Sequence, residues 1–332
     1  MLLRFKSLIY NTCQAFRLLH IIPKGLFVYF NLLLLDAKNA QPSEGINILI
    51  FSLNRPLQLR SLIQSFYYYN QDNDVDSFAT IFVIYKHSYN KAIGPYQDVV
   101  QQFSHRNIIF INEGTSSFKA LINSLPLSQK KYTTTLVDDI IFREAFSLKY
   151  AISYLDSPFS FFYLRLGLEI KTSFMQNSTQ NYQPLLKVFK DSHQVLTWSA
   201  TNILHRRSDW FYLLTLDGMI CSTTNWRLVF KLLNYTNPSM LEAKLQFFSI
   251  ISIFFRCLCF KHSIIVNLPF NLVQTEYLKN KNLGWSADFF LDLFNNGFFL
   301  DFTKVSILKF SSTHHSCNPT KIYSSHSNII PE

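Results

Sequence analysis

Glycine is scarce in this chain, at 8 of 332 residues. Neither Gly-x-Gly-x-x-Gly nor a Walker phosphate loop is present, which argues against a dinucleotide dehydrogenase and a P-loop kinase. So little glycine also excludes a collagen-like, linker-rich or turn-rich all-β chain. No Gly-x-Ser-x-Gly elbow points to an α/β hydrolase, and His-Glu-x-x-His is missing. The five cysteines are odd in number and irregular in spacing. Cys257-Leu258-Cys259 is too tight for an ordinary zinc half-site, so a reducing, cytoplasmic setting is expected. The net charge is +10, but Lys and Arg are scattered, with no zinc-finger spacing, RNA-recognition signature or basic heptad. No nucleic-acid partner is expected. No apolar run has the length and purity of a bilayer span. Residues 26–35 are too short, and residues 247–260 are interrupted by Arg256 and read as a buried helix face. Residues 1–38 lack the apolar core and small-residue cleavage site of a signal peptide.

What the chain has is apolar mass. Hydrophobic residues make up 48% and charged residues 16%, with 33 Phe and 17 Tyr. That is ample for one large α/β domain or two modest ones. Residues 1–43 read as a basic helical leader, in which Arg4, Lys6, Arg17, Lys24 and Lys38 stand against the single acid Asp36. Two readings stand for it: a segment lying on an anionic membrane surface, or a helical layer packed on the domain. Residues 40–45 read as a linker.

Beyond that linker, strands and helices alternate. Strands are expected at 46–52, 80–85, 108–111 and 132–137, and helices at 57–69, 93–103 and 118–125. This is the pattern of a mostly parallel sheet with helices on both faces. The second half is less regular, with helices expected at 143–155, 223–233, 239–255 and 286–295, and strands at 159–164 and 195–199. Residues 311–332 form a polar tail that reads as mobile or as a flap.

The run Thr133-Thr134-Thr135-Leu136-Val137-Asp138-Asp139-Ile140 reads as a buried strand ending on two adjacent carboxylates. In open α/β sheets, ligands bind at strand C-terminal ends, and adjacent carboxylates there can hold a divalent cation. The other reading is a solvated strand end capping a helix. Asn54, Arg55, Tyr85 and Lys86 fall at other strand C-terminal ends and can converge on the same edge. For Arg55 and Lys86 the plainer reading is a surface cation beside a turn or loop. Further candidates are Arg165, Asp209-Trp210, Asp217-Gly218, Glu242, His314 and His315. Asp217 also fits an ordinary Asp-Gly turn, Glu242 a first-turn helix acid, Trp210 core packing, and the histidines a solvated tail.

The chain resembles the bacterial glycosyltransferase-like proteins of the GT-A fold. The resemblance rests on Phe51-Ser52-Leu53-Asn54-Arg55-Pro56-Leu57-Gln58-Leu59, Val137-Asp138-Asp139-Ile140, Leu164-Arg165-Leu166-Gly167, Asp209-Trp210 and Leu216-Asp217-Gly218. It continues through Asn237-Pro238 with Leu241-Glu242, and Leu268-Pro269-Phe270-Asn271-Leu272-Val273-Gln274. It covers roughly residues 45–315, in order, so the domain is set at 44–310. It implies a GT-A-like fold, a nucleotide-sugar donor, and Mn²⁺ or Mg²⁺ held by an Asp-x-Asp-like motif, contracted here to Val-Asp-Asp. On that implication Asp139 is the metal ligand and Asp138 contacts ribose, sugar or a metal-bound water. His314 or His315 reaches back to the metal, with His315 the one chosen. Arg55, Lys86 and Arg165 offset the leaving diphosphate, with Asn54 and Tyr85 beside them. Asp209 and Trp210 meet the acceptor, Trp210 by stacking on a sugar. Asp217, or in second place Glu242, is the general base. The expected acceptor is a glycan or lipid-linked molecule, met in the cytoplasm or peripherally at a membrane. The alternative is a non-catalytic carbohydrate- or nucleotide-binding protein on the same fold.

Overall fold

The computed structural model describes residues 42–175, 177–180, 187–188, 195–199, 208–246, 248, 252, 254–271, 283–306 and 308–325. The basic leader, all but its last two residues, therefore lies outside the described residues, and Ser43 at its end already belongs to the first strand. The regular first half forms as its periodicity requires: β1 (Ser43–Leu53), α1 (Pro56–Tyr69), β2 (Ala79–Lys86), α2 (Ile93–Gln102), β3 (Ile108–Asn112), α3 (Phe118–Ser124) and β4 (Lys130–Val137). Pro56 opens α1, where its missing N–H costs nothing. Strands β3, β2, β1 and β4 lie side by side and parallel, with Phe51 opposite both Ile84 and Val137. Their C-terminal ends form one edge of the sheet.

The two-residue period of the strands builds two cores. Ile46, Ile48, Ile50, Ile81 and Val83 face one side, which α1, α2 and the later helix Ala287–Asn295 cover. Leu49, Phe51, Phe82 and Ile84 face the other side with Phe118 and Ile122 of α3. The three threonines of β4 are buried, and two of them serve as attachments. The Thr133 and Thr223 hydroxyls bond at 2.8 Å, and Thr135 Oγ1 donates to the Leu216 carbonyl at 3.0 Å.

After β4 come β5 (Ile140–Phe142), α4 (Leu148–Ser153) and β6 (Ser160–Tyr163). The helix expected at 143–155 is thus cut to its second half. Arg143 is instead buried, with Nε donating to the Ser263 carbonyl at 3.0 Å and Nη2 paired with Glu169. A short hairpin, β7 (Thr172–Ser173) and β8 (Ser178–Thr179), precedes β9 (Lys187–Val188) and β10 (Leu196–Ser199). Then follow β11 (Met219–Ser222), α5 (Thr223–Leu232), α6 (Pro238–Leu245), β12 (Arg256–Cys259), β13 (Ile265–Asn267) and α7 (Ala287–Asn295). The main sheet runs β3-β2-β1-β4-β11-β6-β12-β10-β9. β11 is antiparallel to both neighbours, and β12 is parallel to β6.

Two expectations are corrected here. The helix expected at 239–255 ends at Leu245, and the run read as a buried helix face contains strand β12. Cys257, Leu258 and Cys259 are all fully buried, because β12 lies between β6 and β10 with core on both faces. An apolar run of that kind carries no period to separate strand from helix. The polar tail, expected to be mobile or a flap, packs on the domain through residue 325. Tyr323–Ser324 pairs antiparallel with Phe299–Leu300, and Ile322 and Tyr323 are buried. No helix among the described residues is long and apolar enough to cross a membrane.

Candidate active site

The β1–α1 turn is the first piece of the site. Asn54 takes a left-handed conformation (φ 56°), which asparagine tolerates better than most residues. Its N–H donates to the Lys86 carbonyl at 3.0 Å, and its Oδ1 accepts from Ser88 N–H at 2.7 Å. Asn54 thus ties the ends of β1 and β2 together. Arg55 follows and turns back under the sheet edge, 8% exposed. Its Nη1 donates to Asp138 Oδ1 at 2.8 Å and reaches Asp139 Oδ2 at 3.4 Å, while Nη2 bonds the Asn271 carbonyl. Tyr96 of α2 accepts from Arg55 N–H at 3.0 Å and bonds Ser52 Oγ at 2.7 Å. Arg55 is therefore a buried counter-ion of the acid pair, not a surface cation.

The two acids differ. Asp138 uses both oxygens inside the protein, Oδ1 on Arg55 and Oδ2 on Leu53 N–H at 3.1 Å. Asp139 is held by the backbone, its carbonyl accepting from Leu268 N–H at 2.8 Å, and its Oδ1 is buried without a hydrogen-bond partner. Burial pushes the Asp139 carboxyl up to about 7, and Asp138 and Asp217 add to the rise against the pull of Arg55. An unsatisfied, electron-rich oxygen in this setting fits a cation.

Asp217 reaches the same region from the turn before β11. Its N–H donates to Thr215 Oγ1 at 3.1 Å, and the next residue, Gly218, donates to the Thr135 carbonyl at 2.9 Å. Gly218 has φ +72°, and a Cβ there would lie 2.5 Å from Ile265 Cδ1, so any side chain would be strained and would displace Ile265. From α6, Glu242 Oε1 accepts from Thr215 Oγ1 at 2.9 Å. Burial, and then the Asp217 charge, push the Glu242 carboxyl up to about 7. Asp217 acts electrostatically on Asp139, Glu242 and His314 alike, which makes it the hub of the cluster.

The C-terminal segment closes the site. Asn267 N–H donates to the Thr313 carbonyl at 3.0 Å and His315 N–H to the Asn267 carbonyl at 2.9 Å, which lays residues 313–315 beside β13. β13 in turn pairs with β5, next to the acid pair. Thr313 Oγ1 bonds Asp209 Oδ2 at 3.1 Å and His314 Nδ1 at 3.2 Å. Of the two histidines it is His314 that lies in the field of Asp217 and Asp209. His315 packs edge-on against Phe310, and the Arg143 charge adds to burial in holding it neutral.

The remaining expected residues fall in three places. Arg165 is buried and structural in its bonds: Nη2 donates to the Asp209 carbonyl at 3.2 Å and also bonds the Tyr212 carbonyl, while its charge reaches Glu242 and His314. Asp209 is gripped by Gln180 Nε2 at 3.0 Å and by Thr313. Trp210 is corrected: it is wholly buried, donates Nε1 to the Ile170 carbonyl at 3.2 Å, and meets Trp198 edge-on, so it offers no face to a sugar. Lys86 is half-exposed and paired with Glu113 at 2.8 Å, and Tyr85 stacks on Tyr96. Neither meets the acid pair directly. Tyr96, Tyr212 and Thr313 stand at the site with no local signature in the sequence, since each is recruited from a separate element. Among the described residues no ready-made group of three or more His, Cys, Asp or Glu ligands is assembled. Asp217 acts by its charge on Asp139 and on His314, but the three side chains are not gathered into one metal-binding group.

No family model matches the sequence. Over 132 residues it is 34% identical to the bifunctional glycosyltransferase pgtA of Dictyostelium discoideum, a match covering 38% of this chain and 17% of that protein. The chain thus spans less than a fifth of that relative's length. Among solved structures it is similar to S. aureus TarS 1–349 in complex with UDP, at 13% identity and a TM-score of 0.41, over 66% of this chain and 58% of that one. It is also similar to the mannosyltransferase PcManGT from Pyrobaculum calidifontis in complex with GDP-Man and Mn²⁺ (10% identity, TM-score 0.29, 43% and 44% covered). A third likeness is to 4-diphosphocytidyl-2C-methyl-D-erythritol synthase from Anaerococcus prevotii (11%, TM-score 0.36, 70% and 92% covered).

Proposed function

We propose that this protein is a glycosyltransferase of the GT-A type, moving a sugar from a nucleoside-diphosphate donor with Mn²⁺ or Mg²⁺ bound at Asp139. The observation that carries the reading is the buried, partnerless Asp139 Oδ1 at the strand C-terminal edge, in the field of Asp217. The stretch of identity to a glycosyltransferase supports it independently. A bound divalent cation would act as Lewis acid on the leaving diphosphate.

The chain's own residues supply the rest. Arg55 holds the acid pair at fixed geometry and offsets part of its charge. Asp138 locks the β1 end through Leu53, so it shapes the donor floor more than it reaches out. Asp217 is the preferred base for the acceptor hydroxyl, because Glu242 is already tied to Thr215. His314 takes the place given from sequence to His315 as the imidazole nearest the acids. Glycan and lipid-linked acceptors both fit this scheme. The basic leader supports peripheral contact with an anionic membrane from the cytoplasmic side.

The test is thermal stabilisation by UDP, GDP and their sugars, with and without Mn²⁺, in the full chain. One nucleotide class should raise the melting temperature only with metal, and Asp139→Ala should abolish the response. If wild type and variant are equally silent toward every nucleotide, the reading is wrong. Metal-dependent binding with no turnover on any acceptor or water would leave a binding protein instead.

A further inference from the structure

A concavity in the C-terminal half shares only His314 with the acid cluster. It is a cleft of about 340 Å³ between the β7–β8 hairpin and residues 311–316. That volume is at the lower end of small-molecule sites, roughly 300 to 1,000 Å³, and suits one or two sugar rings. Its lining is unusual in chemistry. Thr172, Thr179, Ser311, Ser312 and Ser316 present hydroxyls, and Phe174 contributes an aromatic ring. No Lys, Arg, Asp or Glu is among the lining residues. Hydroxyls both donate and accept, so they match the hydroxyls of a sugar, and an aromatic face suits its C–H side. Ser173, Asn177, His314 and His315 complete the lining, so no permanently charged side chain faces the cleft.

Its walls are built, not incidental. Thr172 Oγ1 donates to the Ser311 carbonyl at 3.0 Å and Phe174 N–H to Ser312 Oγ at 3.0 Å, which fastens the hairpin to the C-terminal segment. His314 is shared by the cleft and the acid cluster, and Thr313 ties it to Asp209. The cleft therefore meets the acid cluster at His314, on which the Asp217 charge acts.

We infer that this cleft is the acceptor subsite, and that it takes a neutral, hydroxyl-rich group, the terminal sugar of a glycan, and not a phosphate-bearing head. The inference rests on the glycosyltransferase reading for the word acceptor, but not for sugar binding itself. Two measurements separate them. Ser316 is exposed and makes no side-chain bond that shapes the wall, so Ser316→Trp fills the cleft with the acid cluster intact. Saturation-transfer NMR on the full chain, with methyl glycosides of glucose, galactose, mannose and N-acetylglucosamine beside glucose 1-phosphate, reads the cleft directly. At least one neutral glycoside should bind wild type, and Ser316→Trp should lose it. Binding of no neutral glycoside, preference for the phosphate, or binding unchanged by Ser316→Trp would overturn the inference, whatever the donor experiment gives. Where a donor is found, Ser316→Trp should keep metal-dependent nucleotide stabilisation and donor hydrolysis. It should also cut transfer to sugar acceptors tenfold or more through KM. Transfer unchanged in that variant would overturn the inference while leaving the enzyme reading standing.

Discussion

Arg55 is where the site is most exposed to a single change. Its guanidinium serves Asp138, Asp139 and the Asn271 carbonyl at once, from a position shielded from water. A lysine ammonium cannot spread its donors across three acceptors in one plane. Arg55→Met removes the counter-ion and leaves two buried carboxylates facing each other, a loss on the order of 3–5 kcal/mol. Urea denaturation should register that loss near neutral pH, and Arg55→Lys should recover only part of it. Gly218 is the second sensitive residue. An alanine there meets Ile265 Cδ1 at 2.5 Å and Leu164 Cβ at 3.2 Å in a left-handed backbone. Gly218→Ala should cost about 1–3 kcal/mol by overpacking and strain, and should shift Asp217 with it. A denaturation midpoint equal to wild type would show that this turn has slack the packing does not reveal.

Among the elements, the C-terminal segment carries more than its composition suggests. Ser, His, Asn and Pro made residues 311–332 read as mobile or as a flap, yet over the described residues 311–325 Ile322 and Tyr323 are buried and residues 313–315 run beside β13. Full burial of each such apolar side chain contributes about 1.5–3 kcal/mol. A chain stopped after Phe310 should therefore melt well below the full chain, measured by circular dichroism, and should be cut faster by protease. Polarity along a strand-poor segment says nothing of what it packs against, which is why sequence alone misread it. The first half was legible for the opposite reason. Ile46, Ile48 and Ile50 alternate with Leu49 and Phe51, and each set finds its own core. The position of the acid pair at the end of an apolar strand was legible as well, although Asp138 spends both its oxygens on Arg55 and Leu53 inside the protein. Trp210 and the choice between His314 and His315 were not legible. Indole burial and imidazole direction depend on Trp198, Phe310 and Arg143, which lie far away in sequence.

On the scale of the whole molecule, a chain of net charge +10 gathers Asp138, Asp139, Asp209, Asp217 and Glu242 around Arg55 and Arg165. The excess charge is local, acidic and shielded from solvent, so it should be visible in stability. Asp139 and Glu242 rise from 3.8 and 4.5 to about 7 in the folded protein. Between those limits the native state keeps protons that the unfolded chain has released, so unfolding becomes easier as pH rises through the window. His314 and His315, lowered by burial, work the other way: the unfolded chain takes up their protons as pH falls below 6.5. Asp76 and Asp301 are held below 3.8, burial being outweighed by the hydrogen bonds of Tyr67 and Thr303, so their stabilisation is lost only in stronger acid. The acid cluster can therefore be isolated by difference. Across about pH 5 to 8, metal-free wild type should lose more melting temperature relative to Asp139→Asn as pH rises. Mn²⁺ should close that gap at the alkaline end, where the carboxylates are free to bind it, and do little at the acid end. Parallel melting curves for the two proteins would mean that the Asp139 carboxyl is solvated in the folded state. The cation assigned to it would then have no buried charge to offset.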